Sequence, residues 1–382
     1  MQKPLLITMG DPTGVGPEII VHAAGQGAFA GLSRPVVVVG DLAIMQRAAG
    51  ACGLEFAWQP GSPSRLASGE MVVSGRALPL RVISRLDPAE QQYGLPDVSS
   101  GRAMADYISW ACDRCIADDA AGMVTGPINK QAMQLAGADF PGHTELLAAR
   151  CGVNEVVMML AGERLRVCLV TTHCALHEVP RRLTVDRILT TVRITAESLR
   201  RQFGLMQPRL AVLALNPHAG EGGLFGDEEQ QFILPAIEAA RSEGFDVSGP
   251  HSADTLFWFA ARGHYDAVIC MYHDQGLIPL KLLHFDDGVN VTLGLPIVRT
   301  SVDHGTAYDL AGSGKASPAS LIAAVKMADA MAEKLERAAR CEEDHKPKQD
   351  LWFFALLVAR LTVPEKRVNL LTATTLTDKD HG

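Results

Sequence analysis

The sequence predicts an α/β protein with mostly parallel strands, and three observations predict it. Short apolar runs alternate with longer helical patterns along most of the 382 residues. The runs are continuous rather than alternating, the mark of strands buried on both faces. Apolar residues make up 47% and charged residues only 20%, enough for the cores of two or three domains.

Each element follows from its own residues. "LLITM", "PVVVVG", "AGMVTG", "EVVMML", "RVCLVTT", "RLAVLAL" and "YDAVICMY" read as strands, rich in β-branched residues and bounded by turn formers. After the first, "GDPTGVGPEII" turns the chain on Gly10, Pro12 and Gly14. Pro17 then starts a helix where a missing N–H costs nothing, and Glu18 favours its positive end. Two nucleotide readings of this stretch fail. A phosphate loop needs G-x-x-x-x-G-K-[ST], which is absent, and Ile19 stands where a G-x-G-x-x-G needs its third glycine. Gly14, Gly16 and the later Asp41 therefore only imitate an ordinary Rossmann fingerprint.

"WQPGSPSRLASGE" reads as a surface loop. "MADYISWACDRCIA", "RILTTVRITAESLRRQF", "EEQQFILPAIEAARSEG" and "SPASLIAAVKMADAMAEKLERAAR" read as helices. Cys112 and Cys115 form a C-x-x-C on the first, with no second pair nearby, and read as two half-buried thiols rather than a metal or redox site. From about Lys334 the character changes, and residues 336–382 read as an atypical tail, an added helix and a disordered end, with no function assigned.

Composition excludes whole classes. The formal charge is −8 without a basic stripe, which argues against nucleic acid. No run reaches the roughly 18–20 apolar residues of a membrane span. The first residues are too soon interrupted to be a signal peptide, and the eight scattered cysteines read as reduced thiols of a cytoplasmic protein.

One chemical pattern recurs. "RVCLVTTH", "RLAVLALNPH" and "YDAVICMYHD" are strands that run into His173, His218 and His273. Ligands of open α/β sheets bind beyond the carboxyl ends of strands, where three neutral imidazoles would make a catalytic metal site. The bland alternative is three histidines that each cap a strand. "THCALHE" also sets His177 four residues after His173, with Glu178 adjacent, but His173 ends a strand, so His177 reads as surface or as support to the site. Thr144 after His143 in "GHTELL" starts a helix, either as a plain cap or as part of an anion site, since a helix start attracts anions. Lys281, Asn290 and Arg299 are polar residues embedded in apolar sequence, so each meets either an internal carboxylate or an anionic ligand. The small residues around Asp303, His304, Gly305, Thr306 and Asp309 let backbone approach a ligand closely, although a plain surface loop has the same composition.

Together, "ITMGDPTGVGPEI", "TGPINK", "PGHTELL", "TTH", "NPHAGEGGLFGDEE", "ADTLF", "MYHDQGLIPLK" and "GVNVTLGLPIVRTSVDHGTAYDLAG" resemble the 4-hydroxythreonine-4-phosphate dehydrogenases of vitamin B6 biosynthesis, over roughly the first 335 residues. The resemblance implies an isocitrate/isopropylmalate dehydrogenase-like fold, two α/β/α domains with an interdomain active-site cleft. It places residues 1–130 plus 275–335 in a first, discontinuous domain and 131–274 in a second that carries the metal ligands and dimer contacts. It implies a homodimer whose partner subunit completes the site.

It further implies a divalent metal (zinc, or magnesium or cobalt) on His173, His218 and His273, and substrate contacts from His143, Thr144, Lys281, Asn290 and Arg299. NAD or NADP would meet Asp303, His304, Gly305, Thr306 and Asp309. The implied reaction oxidises 4-phosphooxy-L-threonine to 2-amino-3-oxo-4-phosphooxybutanoate, which decarboxylates to 3-amino-2-oxopropyl phosphate. Asp254, Asp274 and Lys281 are the catalytic candidates, and the base is not evident from sequence. Two alternatives stand beside this one: a D-threonate or D-erythronate 4-phosphate dehydrogenase, toward which "HCAL" leans, and a non-catalytic, metal-dependent binder of phosphorylated ligands.

Overall fold

The computed structural model describes residues 2–345 apart from 139 and 141, and the predicted tail beyond 345 lies outside the described residues. Residues Met1–Arg337 form one compact unit. Its first strands are β1 (Leu5–Thr8), β2 (Val36–Gly40), β3 (Phe56–Pro60), β4 (Gly69–Val73), β5 (Arg76–Val82) and β6 (Gly122–Thr125). The later ones are β7 (Val157–Ala161), β8 (Arg166–Leu169), β9 (Leu210–Leu213), β10 (Val247–His251), β11 (Ala267–Cys270), β12 (Val289–Leu293) and β13 (Arg299–Val302).

The helices up to the middle of the chain are α1 (Gly16–Gly25), α2 (Leu42–Ala51), α3 (Val98–Ile116), α4 (Lys130–Leu135), α5 (His143–Cys151) and α6 (Val179–Arg182). They are followed by α7 (Val185–Phe203), α8 (Leu234–Ser242), α9 (Ala253–Ala260), α10 (His273–Leu283) and α11 (Ala319–His345). Helix α11 runs into the start of the stretch, residues 336–382, read as an atypical tail.

These strands of the described residues join one sheet in the order β10-β9-β11-β8-β7-β12-β13-β6-β1-β2-β5-β4-β3. Parallel ladders join β9, β11 and β8 in one half, and β13, β6, β1, β2 and β5 in the other. Antiparallel pairing enters at β3–β4–β5, at β7–β8 and on both sides of β12. Successive residues point to opposite faces of a strand. Val167, Ala211 and Val268 pack with Leu256 of α9 and Leu277 of α10. Their neighbours Cys168, Val212 and Ile269 pack in the other cluster, with Val192 of α7 and Ile237 of α8. That half of the sheet is thus buried on both faces between helices, as its unbroken apolar runs predict.

Three expectations need correction. "WQPGSPSRLASGE" is not wholly loop: Trp58–Pro60 ends β3 and Gly69–Glu70 begins β4, a hairpin whose strands are only partly buried. Cys112 and Cys115 are buried in α3 rather than half-buried. The helix expected from Glu228 begins with a π-turn over Glu229–Ile233 before α8. Among the described residues, no helix is long and apolar enough to cross a membrane.

Candidate active site

Because β9, β11 and β8 are adjacent and parallel, their carboxyl ends lie side by side. His218, His273 and His173 leave from these ends. The rings of His173 and His273 meet, with centroids 5.4 Å apart and planes tilted by 45°. Asp274 Oδ1 lies 2.7 Å from His273 Nδ1, and Glu221 Oε1 lies 3.0 Å from His218 Nδ1. A carboxylate on Nδ1 holds the proton there and leaves the Nε2 lone pair free for a metal. The His173 pKa is lowered by partial burial and by the charge of Lys130, which favours the same neutral form.

His218 stands apart from the pair. It opens a left-handed turn in which His218, Ala219, Gly220, Glu221 and Gly222 have φ of 50°, 55°, 78°, 42° and 70°. Its charge helps lower the pKa of Asp254, after the hydrogen bond from Ser252. Among the described residues, no group of three His, Cys, Asp or Glu side chains is gathered as a metal set. The donor chemistry of the three histidines fits a divalent cation, while only two of the rings are in contact.

A second group is fully built. Arg299, on β13, is buried between its neighbours β6 and β12. Its guanidinium donates to Thr125 Oγ1 at 2.7 Å, to Thr292 Oγ1 at 2.9 Å and to Asn290 Oδ1 at 3.5 Å. All these acceptors are neutral, its Nε has no partner among the described residues, and burial lowers its pKa to about 10. At neutral pH this is a buried cation without a counter-anion, a costly arrangement unless a ligand supplies one. His143, the first residue of α5, adds to it: its Nε2 is sealed from solvent and unpartnered among the described residues. Burial, then the charges of Arg299 and Lys130, push its pKa well below the usual value. Thr144 is half-buried on the first turn of the same helix.

Lys281 is not free: its ammonium lies 2.7 Å from Asp303 Oδ2 and donates to the Asp303 carbonyl at 3.0 Å. The internal ion pair therefore joins a predicted substrate residue to a predicted cofactor residue. The loop that follows, with His304, Gly305, Thr306 and the exposed Asp309, rests on the opening turn of the chain. Val15 N–H donates to the Thr306 carbonyl at 3.0 Å, and a Cβ on Gly14 would lie 2.9 Å from that oxygen. The Glu18 carboxylate accepts from the N–H groups of Gly312 and Gly314 at 2.5 and 2.9 Å. The opening turn is thus a support for the later loop. Asp41 caps α2 through Ala43 and Ile44 and also accepts from Ser84 and Leu86, which leaves its carboxylate fully engaged. His177 is exposed and shares no helix with His173.

Sequence reasoning passed over Lys130, whose charge reaches both His143 and His173. A signal existed: a cation at the first position of α4 opposes the helix dipole. It also passed over Thr125 and Thr292, which nothing in a strand sequence distinguishes from core threonines.

Fold and site together define an α/β protein of the ligand-binding kind, with a built anion pocket and a histidine pair. The pattern of the family described as Pyridoxal phosphate biosynthetic protein PdxA matches residues 32–328. A 4-hydroxythreonine-4-phosphate dehydrogenase of Geobacter metallireducens is 57% identical over 328 residues, 86% of this chain and 95% of that one. One from Trichlorobacter lovleyi is 52% identical over 332 residues, 86% of this chain and 97% of that one. The crystal structure of a 4-hydroxythreonine-4-phosphate dehydrogenase from Klebsiella pneumoniae is 41% identical and superposes with a TM-score of 0.77, covering 87% of this chain and 98% of that one. The chain belongs to the PdxA family of pyridoxal phosphate biosynthetic proteins.

Proposed function

We propose that the protein is a 4-hydroxythreonine-4-phosphate dehydrogenase, an oxidoreductase of pyridoxal phosphate biosynthesis. It oxidises 4-phosphooxy-L-threonine at the secondary hydroxyl to 2-amino-3-oxo-4-phosphooxybutanoate, which loses carbon dioxide to give 3-amino-2-oxopropyl phosphate. The observation that carries the reading is Arg299, a buried guanidinium with only neutral acceptors, beside the unpartnered His143. Such a pocket gains most from an anionic ligand, through charge-assisted hydrogen bonds.

Arg299, Asn290, His143 and Thr144 hold the anionic end of the substrate. Lys281, fixed by Asp303, links this pocket to the loop of His304, Gly305, Thr306 and Asp309, which receives NAD or NADP. His173, His218 and His273 would hold a divalent metal, zinc before magnesium or cobalt, which as a Lewis acid lowers the pKa of a bound hydroxyl. Asp274 orients His273 and is engaged by it. Asp254, whose carboxyl is held below the usual carboxylate range first by the Ser252 hydroxyl and then by His218, is the other candidate for the base beside Asp274.

The homodimer belongs to the same reading. Ile278, Leu282 and Phe285 leave an apolar face of α10 and its C-terminal end 67%, 85% and 77% exposed, which a second copy would cover. So does the division into residues 1–130 plus 275–335 and 131–274, which follows the two halves of the sheet. The free cysteines among the described residues suit a cytoplasmic enzyme.

Steady-state kinetics test the assignment. Turnover of 4-phosphooxy-L-threonine with NAD or NADP is expected to exceed that of D-threonate 4-phosphate by at least tenfold in kcat/KM. The reverse order would make the chain a sugar-acid phosphate dehydrogenase, the reading toward which "HCAL" leans. Tight binding of both without reduction of either nucleotide would make it a binder.

A further inference from the structure

Two thiols meet outside the groups just described. Cys112 of α3 and Cys151, the last residue of α5, have their sulfurs 3.9 Å apart. The residues beside them pin the two helices together at that level. Arg150 Nε donates to Asp113 Oδ1 at 3.0 Å, and a terminal guanidinium nitrogen donates to Asp113 Oδ2 at 2.6 Å, a bidentate pair. Inside this pair, Leu146 and Leu147 of α5 share one core with Ala111, Cys112 and Cys115 of α3. Cys112 is fully enclosed, whereas Cys151 is half-buried. The Cys151 thiol is pulled below its ordinary value, first by the hydrogen bond from Cys112 and then, against burial, by the charge of Arg150. The same contact, followed by burial, pushes Cys112 up. An accessible thiol with thiolate character and a second thiol in contact with it are the two parts a reversible disulfide needs. The thiol partner of Cys112 therefore lies outside the C-x-x-C, on another helix.

We propose that Cys112 and Cys151 are an oxidant-sensitive disulfide site that acts on the anion pocket through α5. The oxidant is a peroxide. The Cys151 thiolate attacks one peroxide oxygen, the O–O bond breaks, and the departing hydroxide takes a proton and leaves as water. Cys151 is then a sulfenic acid. Cys112 gives up its proton and attacks the Cys151 sulfur, the S–S bond forms, the S–O bond breaks and a second water leaves. The enclosed Cys112 needs no access to solvent, because its partner brings the electrophilic sulfur to it. A dithiol returns two electrons and two protons by exchange. In a reducing compartment such a bond forms only when oxidant appears. The consequence follows from the two ends of α5: its last residue is the thiol and its first is His143. A covalent bond is about 2 Å shorter than the present contact. Packing holds the enclosed Cys112, so α5 supplies the movement. Arg299 stays with the sheet while His143 moves with the helix, and binding groups tolerate only about 0.5 Å of misplacement. The disulfide is independent of the function proposed above, and its effect on the pocket rests on that reading.

The test treats the full chain with hydrogen peroxide and compares wild type, Cys151→Ser and Cys115→Ala. Two quantities are read: the cysteine pairing, by peptide mapping after the free thiols are blocked, and the Kd of inorganic phosphate by titration calorimetry. Wild type and Cys115→Ala are expected to give a peptide pair joined through Cys112 and Cys151, which dithiothreitol separates. Oxidation is expected to weaken phosphate binding about tenfold, within the 10² that a 1 Å misplacement can cost, and reduction to restore it. Cys151→Ser is expected to keep the Kd of the reduced wild type through the same treatment. Free Cys112 and Cys151 after oxidation, or a pair joined through other cysteines, overturns the proposal. A Cys112–Cys151 disulfide that leaves the phosphate Kd unchanged overturns its action on the pocket, as does an equal loss of affinity in oxidised Cys151→Ser. Reduced wild type that binds no phosphate overturns the anion pocket itself and that action with it, whereas the disulfide is judged by the peptide map alone.

Discussion

The anion pocket and the histidine trio occupy the same end of the sheet yet are assembled to different degrees. Arg299 sits on a strand, and the register of that strand places Thr125 and Thr292 on its two neighbours. Its surroundings are set once the sheet forms. The three histidines leave strands that are just as well fixed, but each ends on a turn of different length. Two rings meet and the third rides on an exposed left-handed loop. Groups held by sheet register are organised before any ligand arrives, whereas groups held by turns gain their final arrangement from what they bind. The pocket therefore stores an unfavourable buried charge, and the His218 turn stores backbone strain.

The widest difference between the two regions is reached at His218. In His218→Gly the imidazole is lost and the left-handed backbone becomes unstrained, since glycine adopts positive φ freely. Metal bound per chain is expected to fall at least tenfold and turnover to become undetectable, with folding stability unchanged or raised by about 1 kcal/mol. Metal analysis by atomic absorption and a denaturant melt read both quantities. Full metal content in this variant would remove His218 from the set and leave the His173–His273 pair with another third ligand.

Arg299→Met probes the other region and has the next largest effect. Loss of the charge-assisted bonds is expected to lower kcat/KM by about 10²–10³, the cost of truncating one partner of a buried charged pair. Stability should move by less than about 2 kcal/mol, because relief of a buried charge is set against two hydroxyls left unsatisfied. A large loss of stability with modest loss of activity would show the guanidinium to be part of the core rather than a ligand group.

The same contrast governs what could be read in the sequence. The strands buried on both faces announced themselves as unbroken apolar runs, because no residue in them meets water. The β3–β4–β5 ribbon did not: "FAWQP" and "RALPLRV" carry polar and small residues on a partly exposed face, and proline and serine around them mimic a loop. Asn290 and Arg299 were legible because a polar residue amid apolar ones requires a partner, and His143 because it sits with Thr144 at a helix start. The three histidines were legible as strand ends, but which of them touch depends on turns that leave no local trace. Lys130 broke a local rule at a helix start, a quieter signal than burial.

The smallest expected effect is one of stability with pH, and it separates the pocket from the trio by burial alone. Burial first, then Arg299 and Lys130, hold the folded His143 pKa well below its ordinary value of 6.5. The unfolded chain therefore binds a proton near that pH which the folded chain refuses. Stability is then highest above the unfolded pKa and falls as pH drops from about 6.5 toward the folded value. His173 acts in the same direction but is less covered, with Lys130 and His273 opposed by Glu145. Thermal melts from pH 8 to pH 5 should therefore show a slope that His143→Gln flattens more than His173→Gln does. Inorganic phosphate sharpens the comparison, because an anion beside His143 offsets Arg299 and makes protonation of the imidazole easier. With phosphate bound the slope should become shallower in wild type, while His143→Gln shows no such change. A slope carried equally by both histidines would mean that the two regions are equally open to water, and the contrast between a built pocket and an unfinished one would fail.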